Sequence, residues 1–153
     1  MTNDHGRTTE HGGDLDRAIS QFGGKRADWL DLSTGINPHA YPLPPLDNSL
    51  WTDLPDKGLQ QDVEAAAAAA YHTTRPCLAL AGAQQAIQLY PALFARYITG
   101  RRARLLHPSY NEHERQLLRQ NWQVERICST ERLAGADLAV VVNPNNPDGR
   151  YTR

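Results

Sequence analysis

Leu138-Ala139-Val140-Val141-Val142 runs directly into Asn143-Pro144-Asn145-Asn146-Pro147-Asp148-Gly149. The five apolar residues read as a buried strand, and the Asn/Pro/Gly run after them reads as a turn. A strand ending in such a turn places polar side chains at the carboxyl edge of a sheet, where open α/β folds bind ligands. Asn146 is the candidate binding group in this loop, since its amide can hydrogen-bond a phenolic oxygen.

Upstream of this junction, strand-like and helix-like segments alternate. Val124-Glu125-Arg126-Ile127 reads as a strand, 111–120 as a helix and Arg104-Leu105-Leu106-His107 as a strand. Before them, 83–98 reads as a helix that Pro91 bends, and Cys77-Leu78-Ala79-Leu80-Ala81 as a further strand. Such alternation implies an α/β fold of three layers, α/β/α, around a mostly parallel sheet with right-handed crossovers.

Nearer the amino terminus, 59–72 is strongly helical in composition. The alanines at 65–70 have high propensity, and Asp62, Val63, Glu64 and Tyr71 beside them favour a packed helix over low complexity. Leu15, Ala18, Ile19 and Phe22 give 14–22 a helical spacing that Gly23-Gly24 would end. Trp29-Leu30-Asp31-Leu32-Ser33 reads as extended, Thr34-Gly35-Ile36-Asn37-Pro38 as turn-rich, and Pro42, Pro44 and Pro45 keep the next stretch irregular. Residues 1–13 read as a polar arm. No internal repeat is present, and composition alone marks no domain boundary.

Composition narrows the function classes. Sixteen basic residues stand against seventeen acidic in 153, and no basic stripe argues for nucleic acid. The longest apolar stretch, 65–71, is far short of the ~20 residues that cross a bilayer. The polar start lacks the apolar core of a signal peptide, so the chain reads as soluble and cytoplasmic, with no membrane partner. Cys77 and Cys128 match no metal spacing, Cys77 reading as a small buried thiol. No His-Glu-x-x-His pattern occurs, Glu112-His113-Glu114 reads as a solvated helix face, and Ser109 lacks the Gly-x-Ser-x-Gly elbow. We expect no metal site.

Two more strand-to-helix turns join the loop at Asn146. Ala81-Gly82-Ala83-Gln84-Gln85 would expose backbone N–H groups at a helix N-terminus, a place for a phosphate. Taken alone, Gly82 equally serves a tight turn. In His107-Pro108-Ser109-Tyr110, the Tyr110 ring would lie over the same edge, where it can stack on a flat heterocycle or simply rim the core.

In this order the three turns resemble the large domain of the fold-type I pyridoxal-phosphate-dependent enzymes, the aminotransferase class I/II superfamily. Within it the likeness is to the threonine-phosphate decarboxylases of cobalamin biosynthesis, relatives of the histidinol-phosphate aminotransferases. It runs from His11-Gly12-Gly13 through Leu32-Ser33-Thr34-Gly35-Ile36-Asn37-Pro38 to the last loop, about the first half of such an enzyme. The resemblance implies pyridoxal 5'-phosphate as cofactor, held by Gly82, Ala83 and Gln84 at its phosphate, Tyr110 at its ring and Asn146 at its 3-oxygen. It also implies that His11, Gly12, Gly35 and Asn37 meet a phosphorylated amino acid. Locally, His11 is equally a solvated side chain and Asn37 a turn former before Pro38. By the same likeness, 1–40 is an arm and substrate segment, and 41–153 part of the cofactor-binding large domain.

The family's cofactor-bearing lysine, usually in a Ser-x-x-Lys context, has no match here. Lys25 follows Gly23-Gly24 and Lys57 lies in an Asp-rich turn, so both read as surface charges. The resemblance therefore implies a truncated chain with no catalytic residue of its own, taken from an enzyme that decarboxylates L-threonine O-3-phosphate. A homodimer is implied only for the whole enzyme. Two other readings stand beside this one: an aminotransferase of the histidinol-phosphate type, and a non-catalytic fragment or binding module. In the family sheet, strand 77–81 would have neighbours that this chain does not supply.

Overall fold

The computed structural model describes residues 12–152. By internal contacts the chain divides into two compact units, Met1–Tyr41 and Pro42–Arg153.

In the first unit, helix α1 spans Leu15–Phe22. Asp14 caps it, its carboxylate accepting the Arg17 N–H at 3.0 Å. Gly23, at φ 79°, returns its own N–H to the Ile19 carbonyl and ends the helix. A short 3-10 turn at Arg26–Asp28 follows. Trp29 then folds back, its indole N–H on the Gly23 carbonyl at 3.2 Å and its ring 6.4 Å from Phe22. Residues 29–33 form no strand, and Leu30 and Leu32 remain about four-fifths exposed.

The second unit begins with α2 (Ser49–Thr52) and α3 (Lys57–Ala70), the latter capped by Asp56 on the Leu59 N–H at 2.8 Å. Helix α4 (Gly82–Tyr97) runs unbroken through Pro91. Then come β1 (Arg102–Leu106), α5 (Asn111–Arg119), β2 (Gln123–Ile127), a 3-10 turn at Thr130–Leu133, and β3 (Leu138–Val140). All three strands are parallel, in the order β2-β1-β3, with Leu105 level with Arg126 on one side and Val140 on the other. The parallel α/β architecture that the alternation called for is therefore present.

The sheet's two faces differ because β1 alternates. Ala103 and Leu105 point to a core shared with Leu117, Trp122 and Val140, with Tyr90, Ala95 and Ile98 of the α4 region packed against it. Arg104, between them, points the other way. Its Nε meets Glu125 at 2.7 Å and its Nη1 the Arg132 carbonyl at 2.8 Å, while Arg132 itself pairs with Glu125 at 2.9 Å.

Trp122 fastens α4 to this core, donating its indole N–H to the Pro91 carbonyl at 3.1 Å. Arg101 lies 5.4 Å above the Trp122 ring and donates to the carbonyls of Ala95, Ile98 and Gly100. A guanidinium thereby satisfies carbonyls that the end of α4 leaves without intrahelical partners.

Two strand readings are corrected. Residues 77–81 are extended but unpaired, with Leu78 71% exposed. A strand exists through its neighbour's hydrogen bonds, and both edges of β1 are taken by β2 and β3. The last strand stops at Val140, not Val142, because its last register partner on β1 is Leu105. Cys77 is half-buried and Cys128 exposed. Among the described residues, no helix is long and apolar enough to cross a membrane.

Candidate functional site

The three turns singled out in the sequence lie around the carboxyl ends of β1 and β3 and the start of α4. Gly82 opens α4 at φ 79°, in the left-handed region that glycine tolerates. Ala81 has no side chain to cap the helix, unlike Asp14 on α1 and Asp56 on α3. Gln85 turns back to accept the Ala81 N–H at 2.6 Å, fixing the turn. The exposed first residues of α4, Gly82 and Ala83, thus present a helix N-terminus that no side chain caps, the arrangement that favours an anion.

Gln84 and Tyr110 are brought together. The Tyr110 hydroxyl donates to Gln84 Oε1 at 3.5 Å, and Gln84 Nε2 donates to Glu112 Oε2 at 3.0 Å. Tyr110 also stands edge-on to His113, 6.3 Å between centroids at 84°. His113 Nδ1 lies 3.3 Å from the Tyr90 hydroxyl. Burial pushes the Tyr90 phenol up to about 12 and holds the His113 imidazole below its ordinary value. At neutral pH both groups are therefore uncharged, and they share one neutral hydrogen bond.

Glu112 corrects the reading of Glu112-His113-Glu114 as a solvated face. It is 3% exposed, and it accepts from Gln116 at 3.1 Å and Arg115 at 3.2 Å as well as from Gln84. Burial alone would raise its pKa. The hydrogen bonds from Gln116, Gln84 and Arg115, with the Arg115 charge, outweigh that and leave it below the ordinary carboxylate value. His113 is half-buried. Nothing in the polar run Asn111-Glu112-His113-Glu114 marks which side chain turns inward.

In the loop after β3, Asn145 and not Asn146 is the structural asparagine. It is buried, and its Nδ2 donates to the Pro108 carbonyl at 2.9 Å and to Asp148 Oδ1 at 2.7 Å. Asp148 is pulled down to about 2, first by that bond and then by the Arg150 N–H and guanidinium. Asn143 and Thr152 exchange a reciprocal pair of bonds, both at 2.9 Å. This bracing leaves Asn146 exposed, with no hydrogen bond among the described residues. The buried Ser109 hydroxyl, beside Pro108, also has no partner among them.

Of the amino-terminal candidates, His11 lies outside the described residues. The Gly13 N–H donates to Ser33 Oγ at 2.8 Å, and a Cβ at Gly12 would overlap the Ser33 carbonyl, so glycine is needed for this approach. Gly35 is exposed with open space around it. Asn37 accepts the His39 N–H at 2.9 Å, the Asx turn of a turn former. An open cavity of about 340 Å³ is lined by Gly12, Arg17, Trp29, Asp31 and Ser33 among others, all of the first unit; Gly82, Tyr110 and Asn146 take no part in it.

Lys25 and Lys57 are exposed, at the 3-10 turn and at the start of α3. Among the described residues, no group of three or more His, Cys, Asp or Glu is placed to hold a metal.

No protein-family model matches the chain. It is 40% identical over 142 residues to a threonine-phosphate decarboxylase of Sinorhizobium sp, covering 92% of this chain and 42% of that protein. It is 42% identical over 146 residues to a threonine-phosphate decarboxylase of Pseudomonas aeruginosa, covering 92% of this chain and 41% of that protein. The chain thus spans about two-fifths of the length of these curated relatives. Over that span, the chain is similar to the threonine-phosphate decarboxylases.

Proposed function

We propose that this sequence supplies part of the cofactor and substrate site of a pyridoxal 5'-phosphate-dependent threonine-phosphate decarboxylase of cobalamin biosynthesis. The observation that carries the reading is the 40–42% identity to two decarboxylases over 92% of the chain. The donor set fits the cofactor. The uncapped start of α4 suits a dianionic phosphate, the half-buried Tyr110 offers a ring, and Asn146 offers an amide with no internal partner. Bound there, the cofactor supplies an electron sink for the pair left behind when a carboxylate departs.

In this reading the chain's residues bind and orient. Gly82, Ala83 and Gln84 hold the phosphate, Tyr110 sets the plane of the ring, and Asn146 bonds its 3-oxygen. The Asn145 bond to the Pro108 carbonyl keeps the Asn146 loop against the turn that carries Tyr110. Gly12, Gly35 and Asn37, with His11, meet the substrate and its phosphate. Residues 1–40 are thus the substrate segment and 41–153 part of the cofactor-binding domain.

The reaction removes the carboxylate of L-threonine O-3-phosphate as carbon dioxide, and a proton takes its place on the same carbon. The product is (R)-1-amino-2-propanol phosphate. No residue of this chain is assigned to that proton transfer or to covalent attachment of the cofactor, because neither Lys25 nor Lys57 lies in a fitting context. The whole enzyme is proposed to be a cytoplasmic homodimer.

The test is to assay the full-length decarboxylase containing this sequence with L-threonine O-3-phosphate. Carbon dioxide and the amino-alcohol phosphate are expected in equal amounts. Formation of glutamate on adding 2-oxoglutarate would instead mark a transaminase and overturn the reading.

A further inference from the structure

Glu112 is buried on the first turn of α5 and accepts a hydrogen bond from Gln84, one of the residues proposed to hold the phosphate. An ionised carboxylate only accepts hydrogen bonds, so the Gln84 amide must turn its NH2 toward Glu112. That leaves Gln84 Oε1 as the atom facing the Tyr110 hydroxyl. Gln116 and Arg115 occupy further acceptor positions on the carboxylate and fix it in turn. His113, the next residue of α5, stands edge-on to the Tyr110 ring and is itself held by Tyr90.

We infer that Glu112 is a positioning residue, acting through the Gln84 amide to set the orientation of the Tyr110 ring. Two turns distant in sequence are thereby coupled: the start of α4, where the phosphate is proposed, and the end of β1, where the ring is proposed. The inference rests on the cofactor reading for its purpose, while the Glu112–Gln84–Tyr110 chain stands on its own geometry.

The test uses the full-length protein that contains this sequence, with pyridoxal 5'-phosphate as probe in equilibrium dialysis, beside urea-denaturation midpoints. Glu112→Ala is expected to weaken retention of the probe about fivefold. Glu112→Gln keeps an acceptor for Gln84 and is expected to stay within about twofold of wild type. In denaturation, the effects of Glu112→Ala and Tyr110→Phe are expected to be non-additive when Gln84 is present and additive in a Gln84→Ala background. If Glu112→Ala does not fold, Glu112→Asp, which keeps the charge but withdraws the acceptor by one methylene, takes its place in the cycle. Additivity in both backgrounds overturns the inference, whether or not the probe binds. Equal losses of the probe in Glu112→Ala and Glu112→Gln also overturn it. A full-length wild-type protein that does not retain the probe, with the coupling intact, upholds the positioning chain and sinks the cofactor reading.

Discussion

Residues 102–140 and residues 29–80 both carry apolar residues in strand-like runs, yet they treat them oppositely. Leu105, Leu117, Ile127 and Val140 are buried, whereas Leu30, Leu32, Leu54 and Leu78 are 71–94% exposed. Hydrophobicity does not separate the two sets, since leucine appears in both. The separating factor is partnership. β1, β2 and β3 satisfy one another's backbone groups, and α4 and α5 cover the apolar face they form. Residues 29–33 and 77–81 have no ladder to join, so an extended backbone there leaves its side chains in water.

The comparison breaks most directly at Leu117, which is fully buried. Leu117→Ala is expected to cost about 2–5 kcal/mol by urea denaturation. The same truncation at Leu78 is expected to stay within about 0.5 kcal/mol. A loss at Leu78 as large as that at Leu117 would mean that 77–81 packs after all.

Next in size is Trp122→Phe, expected to cost about 0.5–1.5 kcal/mol by removing the indole bond to the Pro91 carbonyl. A change below about 0.5 kcal/mol would show that the tryptophan contributes area and not a fastening bond.

Ala81→Asp sharpens the contrast between capped and uncapped helices. It should stabilise the chain by about 1 kcal/mol, as a cap on α4 like those of α1 and α3. The same carboxylate should weaken retention of pyridoxal 5'-phosphate by occupying and repelling the proposed phosphate position. A stabilised variant with undiminished retention would remove α4 from the site.

The smallest effect concerns Asp148, whose carboxyl should titrate near 2 by NMR. Because its folded value is depressed, its contribution is complete above the ordinary 3.8 and is lost as pH falls through about 2. Asn145→Ala removes the first of its hydrogen-bond donors and should move the titration back toward 3.8. An unmoved titration would mean that Arg150 alone holds the loop.

Much of this was legible in the sequence because it follows from local rules. The period of Leu15, Ala18, Ile19 and Phe22, with Asp14 before and Gly23 after, specifies α1 closely. The alternation after residue 83 specifies the parallel sheet. What escaped depends on contacts distant in sequence. Whether 77–81 is a strand is decided by its neighbours and not by its composition. Glu112 is buried through Gln84, 28 positions earlier, and Asn145 through Pro108, 37 positions earlier. In both cases a residue that looked ordinary beside a more prominent neighbour proved to be the internal brace.

The order β2-β1-β3 has a consequence beyond packing. The crossover from β1 to β2 carries α5, which covers the face bearing Ala103 and Leu105. The connection from β2 to β3 carries the 3-10 turn, whose backbone receives Arg104 on the opposite face. The chain thus changes faces between the two connections, and the loops leaving β1 and β3 come to lie side by side at one end of the sheet. The Asn145-to-Pro108 bond ties those two loops together. The meeting of these two loops is therefore a property of the winding of the chain. Substitutions within the loops can change the chemistry presented there while its position stays with the order of the strands.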